Sequence, residues 1–277
     1  MSASDDRPEP AGDRVFAGAV PELYERLMVP LIFAPYAEVL AARVAELAPR
    51  RLLETAAGTG AVTRRMAAVL AQDARIVATD LNPAMLEVGA RVAPEPCISW
   101  QQADALALPF AEAGFDAVVC AFGLMFFPDR VRGLAEARRV LVPGGTLLLS
   151  VWDTIATNLP AAAVTQALAA EFPDDPPLFL ARTPHGHSSL DRLRAEMAEA
   201  GFATFAAEVV TGTAHAAALP EVAAAFCQGT PLRAEIEQRA PGRLGEVTAR
   251  VADALLRRFG PEPVDLPLQA LLVRGRR

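Results

Sequence analysis

The 277-residue sequence contains no lysine; all 26 of its basic residues are arginine. That absence excludes Schiff-base chemistry, a phosphate-gripping Walker lysine and the Tyr-Lys pair of short-chain dehydrogenases. Cysteine is also scarce. Cys97, Cys120 and Cys227 lie far apart and form no C-x-x-C pair, so nothing in their spacing supports a disulfide, a thiolate metal site or a catalytic thiol. Cys120 sits inside an apolar run and reads as a small buried hydrophobe. No uninterrupted charge-free apolar run reaches the roughly eighteen residues that a membrane span needs. Met1 to Arg14 is polar and acidic with no apolar signal core, and residues 1–14 are expected to be disordered because they have little to bury. The formal charge is −7 and no basic cluster exists beyond Arg274-Gly275-Arg276-Arg277. A nucleic-acid partner, which would demand a positive face, is therefore not expected.

What the chain does have is apolar residues, 52% of the total, enough to bury a large core in one α/β domain with an elaboration. Its most informative stretch is Arg51-Leu52-Leu53-Glu54-Thr55-Ala56-Ala57-Gly58-Thr59-Gly60-Ala61: an apolar run, an acid, then small residues opening into a helix. Lack of bulk over 56–60 lets a ligand approach backbone N–H groups closely. Asp80 ends a second apolar run, Ile76-Val77-Ala78-Thr79, twenty residues beyond Gly60. That is the spacing of a strand-loop-helix-strand unit whose second acid accepts from ribose hydroxyls. Asn82-Pro83 then reads as a helix cap and first helical residue. The dinucleotide fingerprint asks for a third glycine where Thr63 stands, which counts against a nicotinamide cofactor.

Downstream come Gln102-Ala103-Asp104-Ala105-Leu106-Ala107-Leu108-Pro109-Phe110, then Phe115-Asp116-Ala117-Val118-Val119-Cys120-Ala121-Phe122-Gly123, then Glu136 to Leu149 with Pro143-Gly144-Gly145 inside it. In this order the segments resemble those of class I S-adenosylmethionine-dependent methyltransferases, most closely the small-molecule branch (methyltransferase type 11) that includes the ubiquinone and menaquinone biosynthesis enzymes. The resemblance runs from about residue 35 to 152 and fades in the C-terminal half. It implies a Rossmann-like seven-stranded α/β sheet with helices on both faces, and S-adenosyl-L-methionine as cofactor. Glu54, Ala56, Gly58, Thr59 and Gly60 would hold the methionine moiety, Asp80 and Leu81 the ribose end, Asp104 and Ala105 the adenine edge. The carbonyl of Ala121 would meet the amino group. Met125 stands where quinone methyltransferases usually carry arginine, a departure that bears on the acceptor.

The expected organisation is two N-terminal helices within 15–50 covering the cofactor site, a cofactor-binding core over 51–152, and the rest of the sheet over 153–277. A helical substrate cap is expected at about 216–262. In the second N-terminal helix Tyr36, Val39, Leu40, Val44 and Leu47 share a stripe, and Tyr24 and Tyr36 are candidates for the cofactor mouth. Core strands are expected at 51–55, 75–79, 98–102, 116–121 and 145–152, and an antiparallel pair at 203–210 and 266–274. Leu244, Val247, Val251 and Leu255 fall on one helical face of the cap.

Methyl transfer from a sulfonium needs alignment more than a covalent partner, but a phenolic or enolic acceptor gains from a base. Only His185, His187 and His215 are available. His185, in the loop Thr183-Pro184-His185-Gly186-His187-Ser188, is the candidate base, and His215 is expected in the cap after the sixth strand. His-x-His with Asp174, Asp175 and Asp191 nearby lacks a clear third ligand, so no metal is expected. Phe122, Trp152, Met125, Phe126 and Phe127 are candidates for an apolar lip around the emerging methyl group. The expectation is a cytoplasmic enzyme that O- or C-methylates a small, largely apolar phenolic, quinone-like or secondary-metabolite acceptor, with a homodimer left open. The alternatives are a non-catalytic S-adenosylmethionine-binding relative and, less favoured, an NAD(P)-dependent oxidoreductase.

Overall fold

The computed structural model describes residues 11–14, 16 and 18–277. Seven strands form one sheet in the order β3-β2-β1-β4-β5-β7-β6: β1 Arg51–Thr55, β2 Arg75–Asp80, β3 Ile98–Gln102, β4 Phe115–Ala121, β5 Leu141–Trp152, β6 Ala206–Ala216 and β7 Val264–Arg276. The first five pair in parallel, and β7 runs antiparallel to both β5 and β6. Central parallel strands joined by helical crossovers are covered on both faces, so β1, β2 and β4 carry near-continuous buried runs, whereas the edge strand β3, Ile98-Ser99-Trp100-Gln101-Gln102, is largely exposed. Alternation sorts their residues between two core layers. Leu52, Ala117 and Val119 pack on one face, Leu53, Val118 and Cys120 on the other. Strand order reverses between β1 and β4, which opens a crevice at their C-terminal ends.

Where two N-terminal helices were predicted there is one, Val20–Leu47. Its middle, Tyr24–Phe33, has π-helical winding, with Ala34 N–H donating to the Val29 carbonyl five residues back. The wider turn accommodates Pro30, which has no N–H to give. By length and composition this helix could cross a membrane, but Tyr36, Leu40 and Val44 are buried against the sheet.

The antiparallel pair is longer than predicted. β6 pairs with β7 from Ala206↔Arg274 to Ala216↔Val264, because cross-strand bonding continues past the expected end at 210 through Thr211 to Ala216. His215 consequently lies on β6, exposed and 2.7 Å from Asp265 of β7, and not in the cap. The strand expected at 145–152 begins earlier, at Leu141, and Pro143-Gly144-Gly145 forms a bulge inside it. Pairing to β4 jumps from Phe115↔Leu141 to Ala117↔Thr146. Between β6 and β7 stand three helices, Leu219–Gln228, Leu232–Arg239 and Leu244–Phe259. Leu244, Val247, Val251 and Leu255 are all buried on one face.

Of the segment expected to be disordered, residues 1–10 lie outside the described residues. Ala11–Arg14 forms a single 3-10 turn. The Asp13 carboxylate is buried there because Arg182 meets it through Nε at 3.1 Å and Nη2 at 2.8 Å, and Thr183 Oγ1 also donates to it. This acid has something to bury against, supplied by the end of the short helix Phe179–Arg182, 169 residues away.

Candidate active site

The turn from β1 into the helix Ala61–Val69 twists three times into left-handed backbone, at Ala56 (φ 53°), Gly58 (58°) and Gly60 (81°). Glycine accepts this freely, whereas Ala56 bears a Cβ and is strained by about 1–2 kcal/mol. Across the crevice the lack of a side chain at Gly123 leaves room for that methyl, since a Cβ there would fall 2.4 Å from it. The turn's N–H groups are largely used internally. Ala57 donates to the Thr79 carbonyl at 2.8 Å, Gly60 to the Ala57 carbonyl at 2.9 Å, and Gly58 to Asp80 Oδ2 at 2.9 Å. The open N–H cradle expected from the sequence is therefore reduced.

Asp80 ends β2 beside this turn, its Oδ1 accepting from Asn82 N at 2.8 Å and Asn82 Nδ2 at 3.3 Å. Burial raises its pKa against these hydrogen bonds. With three of its acceptor positions taken, lone-pair capacity remains for a ligand hydroxyl. Asn82 begins the helix Pro83–Val92 without the predicted side-chain cap, because its Oδ1 accepts instead from Phe16 N at 3.3 Å. Glu54 is buried on β1 and bonded to Thr63 Oγ1 at 2.5 Å. Burial pushes its pKa up to about 8. Thr63, which breaks the dinucleotide fingerprint, is thus the partner of the acid nine positions earlier.

These groups face one cavity, lined by Glu54, Ala56, Gly58, Thr59, Asp80, Leu81, Asp104, Ala105 and Ala121 among the residues singled out in the sequence. Gly60 is not on its wall. A Cβ there would lie 2.3 Å from the Trp100 ring, so Gly60 serves packing and backbone geometry. Tyr24 lines the cavity. Tyr36 does not; it is buried edge-on to Phe122 and Trp152, with its hydroxyl donating to the Val210 carbonyl at 3.5 Å. The walls also carry Arg14, Phe16, Phe33 and Met85, which no motif marked. Phe16 and Arg14 come from the segment expected to be disordered or helical, so no sequence period signalled them.

A second cavity adjoins the first and shares Phe16, Tyr24, Phe33, Phe122 and Phe126 with it. Trp152 and Phe179 complete an aromatic wall, and Phe226 and Thr230 reach in from the insertion between β6 and β7. Phe122 stacks on Trp152 with centroids 4.1 Å apart. Of the expected lip, Phe126 lines both cavities and Phe127 the first. Met125 is fully buried and lies on neither wall, so its replacement of arginine does not bear directly on the cavity.

His185 lines the second cavity. Its Nδ1 is 2.8 Å from the Asp153 carbonyl, which can only accept, so Nδ1 carries the proton and Nε2 the lone pair. Burial lowers its pKa to about 4 despite that carbonyl. His187 diverges to Glu196 Oε2 at 2.8 Å, so the His-x-His pair does not converge. Among the described residues no group of three or more His, Cys, Asp or Glu is placed to hold a metal ion.

The first cavity offers three acids, Asp80, Asp104 and Glu54, the last protonated at neutral pH until a cation arrives to lower its raised pKa, together with Thr59 Oγ1, buried and without a partner among the described residues. Such a wall suits a ligand with cationic and hydroxyl groups and repels a pyrophosphate.

Comparison with known proteins agrees. A family profile described as "Methyltransferase domain" matches residues 53–149. The demethylmenaquinone methyltransferase of Deinococcus radiodurans is 35% identical over 169 residues, 56% of this chain and 69% of the relative. That of Clavibacter sepedonicus is 42% identical over 112 residues, 40% of this chain, which spans 44% of the relative's length. In fold, the YcgJ protein of Bacillus subtilis aligns over 87% of this chain and 98% of its own, with a TM-score of 0.56 and 18% identity. Between the Deinococcus relative's identity and coverage and the residues gathered in the crevice, the ligand the carboxylate wall suits is S-adenosylmethionine, and the chain belongs to the class I S-adenosylmethionine-dependent methyltransferases, related to the demethylmenaquinone and ubiquinone biosynthesis enzymes.

Proposed function

We propose that this methyltransferase acts on a hydroxyl of a small, flat, largely apolar acceptor held in the aromatic cavity beside the cofactor, with His185 as general base. The observation that carries the reading is the second cavity, which shares its aromatic wall with the cofactor cavity and has one titratable group, His185, apart from Tyr24. When bound, the cofactor supplies an electrophilic methyl group on a positive sulfonium. Glu54, Ala56, Gly58, Thr59 and Ala121 would hold its methionine part, Asp80 and Leu81 the ribose, and Asp104 and Ala105 the adenine, all from the wall of one cavity. The aromatic wall orients a ring by stacking and excludes water, and both favour in-line displacement. His185 takes the hydroxyl proton at Nε2 while Nδ1–H stays on the Asp153 carbonyl. The proton arrives as the cofactor's charge is lost, so the net charge of the pocket is unchanged. Relatives named for demethylmenaquinone support a phenolic or quinol-like ring over an aliphatic acceptor.

A screen of phenolic, quinol and aliphatic alcohol acceptors with S-adenosylmethionine tests this. Turnover should be confined to the aromatic classes. His185→Ala should lower kcat about 10²–10⁴-fold with cofactor affinity unchanged. Because the neutral imidazole is the base, kcat/KM should rise as pH passes through about 4 and stay level from 6 to 8. Equal turnover by His185→Ala would remove the base.

A further inference from the structure

We infer that Arg14 is the counter-ion of the cofactor's carboxylate, an assignment that rests on the first cavity being the S-adenosylmethionine site. That cofactor carries two cationic groups and one anionic group, and the cavity wall is the reverse. Asp80 and Asp104 face it, with Glu54, a buried acid that ionises when a cation is bound beside it, and among the described residues that line it the sole cation is Arg14. A guanidinium placed there is repelled by the sulfonium and the ammonium and attracted only by the carboxylate.

Two further observations point the same way. The glycine-bearing turn, the usual source of anion-binding N–H groups, has those of Ala57, Gly58 and Gly60 committed internally. Fewer of the turn's N–H groups are thus left for a carboxylate, the Thr59 hydroxyl carries no charge, and a sequence without lysine leaves arginine as the permanent cation. Arg14 is also held in place on both sides. Asp13 is anchored by Arg182 and Thr183. Phe16 is fixed edge-on to Tyr24 and Phe126, each at 5.9 Å, and through its N–H to Asn82. Among the described residues Arg14 itself forms no ion pair, whereas the neighbouring Arg182 is shared between Asp13 and Glu235. A half-buried guanidinium anchored at the wall of an acidic cavity is placed for an incoming anion.

Titration calorimetry of the full chain with S-adenosylmethionine and with decarboxylated S-adenosylmethionine, which lacks only the carboxylate, separates this role from packing. Wild type should prefer the carboxylated cofactor by about ten- to hundredfold. Arg14→Gln should bring the two affinities to within about threefold, and Arg14→Lys, which keeps the charge but loses the fork, should fall between. A preference retained in Arg14→Gln overturns the assignment, as does an equal loss for both ligands, the result of ring stacking or mere packing. Asp80→Ala should weaken both ligands alike. A wild-type protein that binds neither overturns the cavity's identity, a different failure from the loss of Arg14's role.

Discussion

At Glu54 a carboxyl is held where solvent does not reach, and burial raises its pKa to about 8 against the opposing hydrogen bond from Thr63. The folded protein therefore binds this proton more tightly than the unfolded chain. Its contribution to stability is complete below the ordinary carboxyl range near 4.5 and is lost as pH rises through about 8. Denaturant unfolding of the ligand-free protein should show wild type losing stability between pH 5.5 and 8.5 relative to Glu54→Gln, which keeps the shape and cannot ionise. Parallel pH curves for the two proteins would contradict a raised Glu54. The same residue shows what sequence could tell. Its place at the end of an apolar run identified it, whereas Thr63, read as a missing glycine, became intelligible only when a turn of helix brought its hydroxyl to Glu54.

At the scale of elements, the Trp100 ring on β3 is wedged between two helix-bearing units. A Cβ on Gly60 would lie 2.3 Å from it and one on Gly89, within Pro83–Val92, 2.6 Å. In an exposed helix Gly89→Ala would gain about 1 kcal/mol from propensity. Here overpacking against a rigid ring costs about 1–3 kcal/mol, so the net effect should be destabilising. Combined with Trp100→Leu the sign should reverse, a coupling that a double-mutant cycle in urea reads directly. Additive effects would mean the ring moves aside freely. Helix and strand existence in the first half was legible because period and turn residues agree there. Boundaries failed where tertiary pairing overrode them, at the β5 bulge and in the extended β6–β7 ladder.

Taken as a whole, the molecule closes its crevice with pieces remote in sequence. The Asp13 turn is tied to Arg182 and Thr183 before the His185 loop, and Arg182 to Glu235 of the insertion. Phe226 and Thr230 bring that insertion to the second, aromatic cavity. Cofactor that binds only the assembled crevice stabilises the whole fold, by about 2.7 kcal/mol at a hundredfold excess over Kd, or roughly 5–10 °C in Tm for a chain of this size. Thermal unfolding should show that shift with S-adenosylmethionine and none with NAD or NADP. Stabilisation by NAD instead would overturn the cofactor site.

Sequence alone determined the fold class and the cofactor, and it marked the acids that line the first cavity, because these depend on short-range features: strand period, small residues at a turn, an acid at a strand end. The absence of lysine narrowed the chemistry through composition alone. Tertiary structure decided the rest. It set which turn N–H groups are already spent, that Gly60 packs while Thr63 bonds, and that His185 and not His187 or His215 reaches the aromatic cavity. It also brought Arg14 to the wall of the first cavity. Each of these depends on contacts between segments separated by tens to hundreds of residues, and neither hydrophobic period nor motif spacing encodes such contacts.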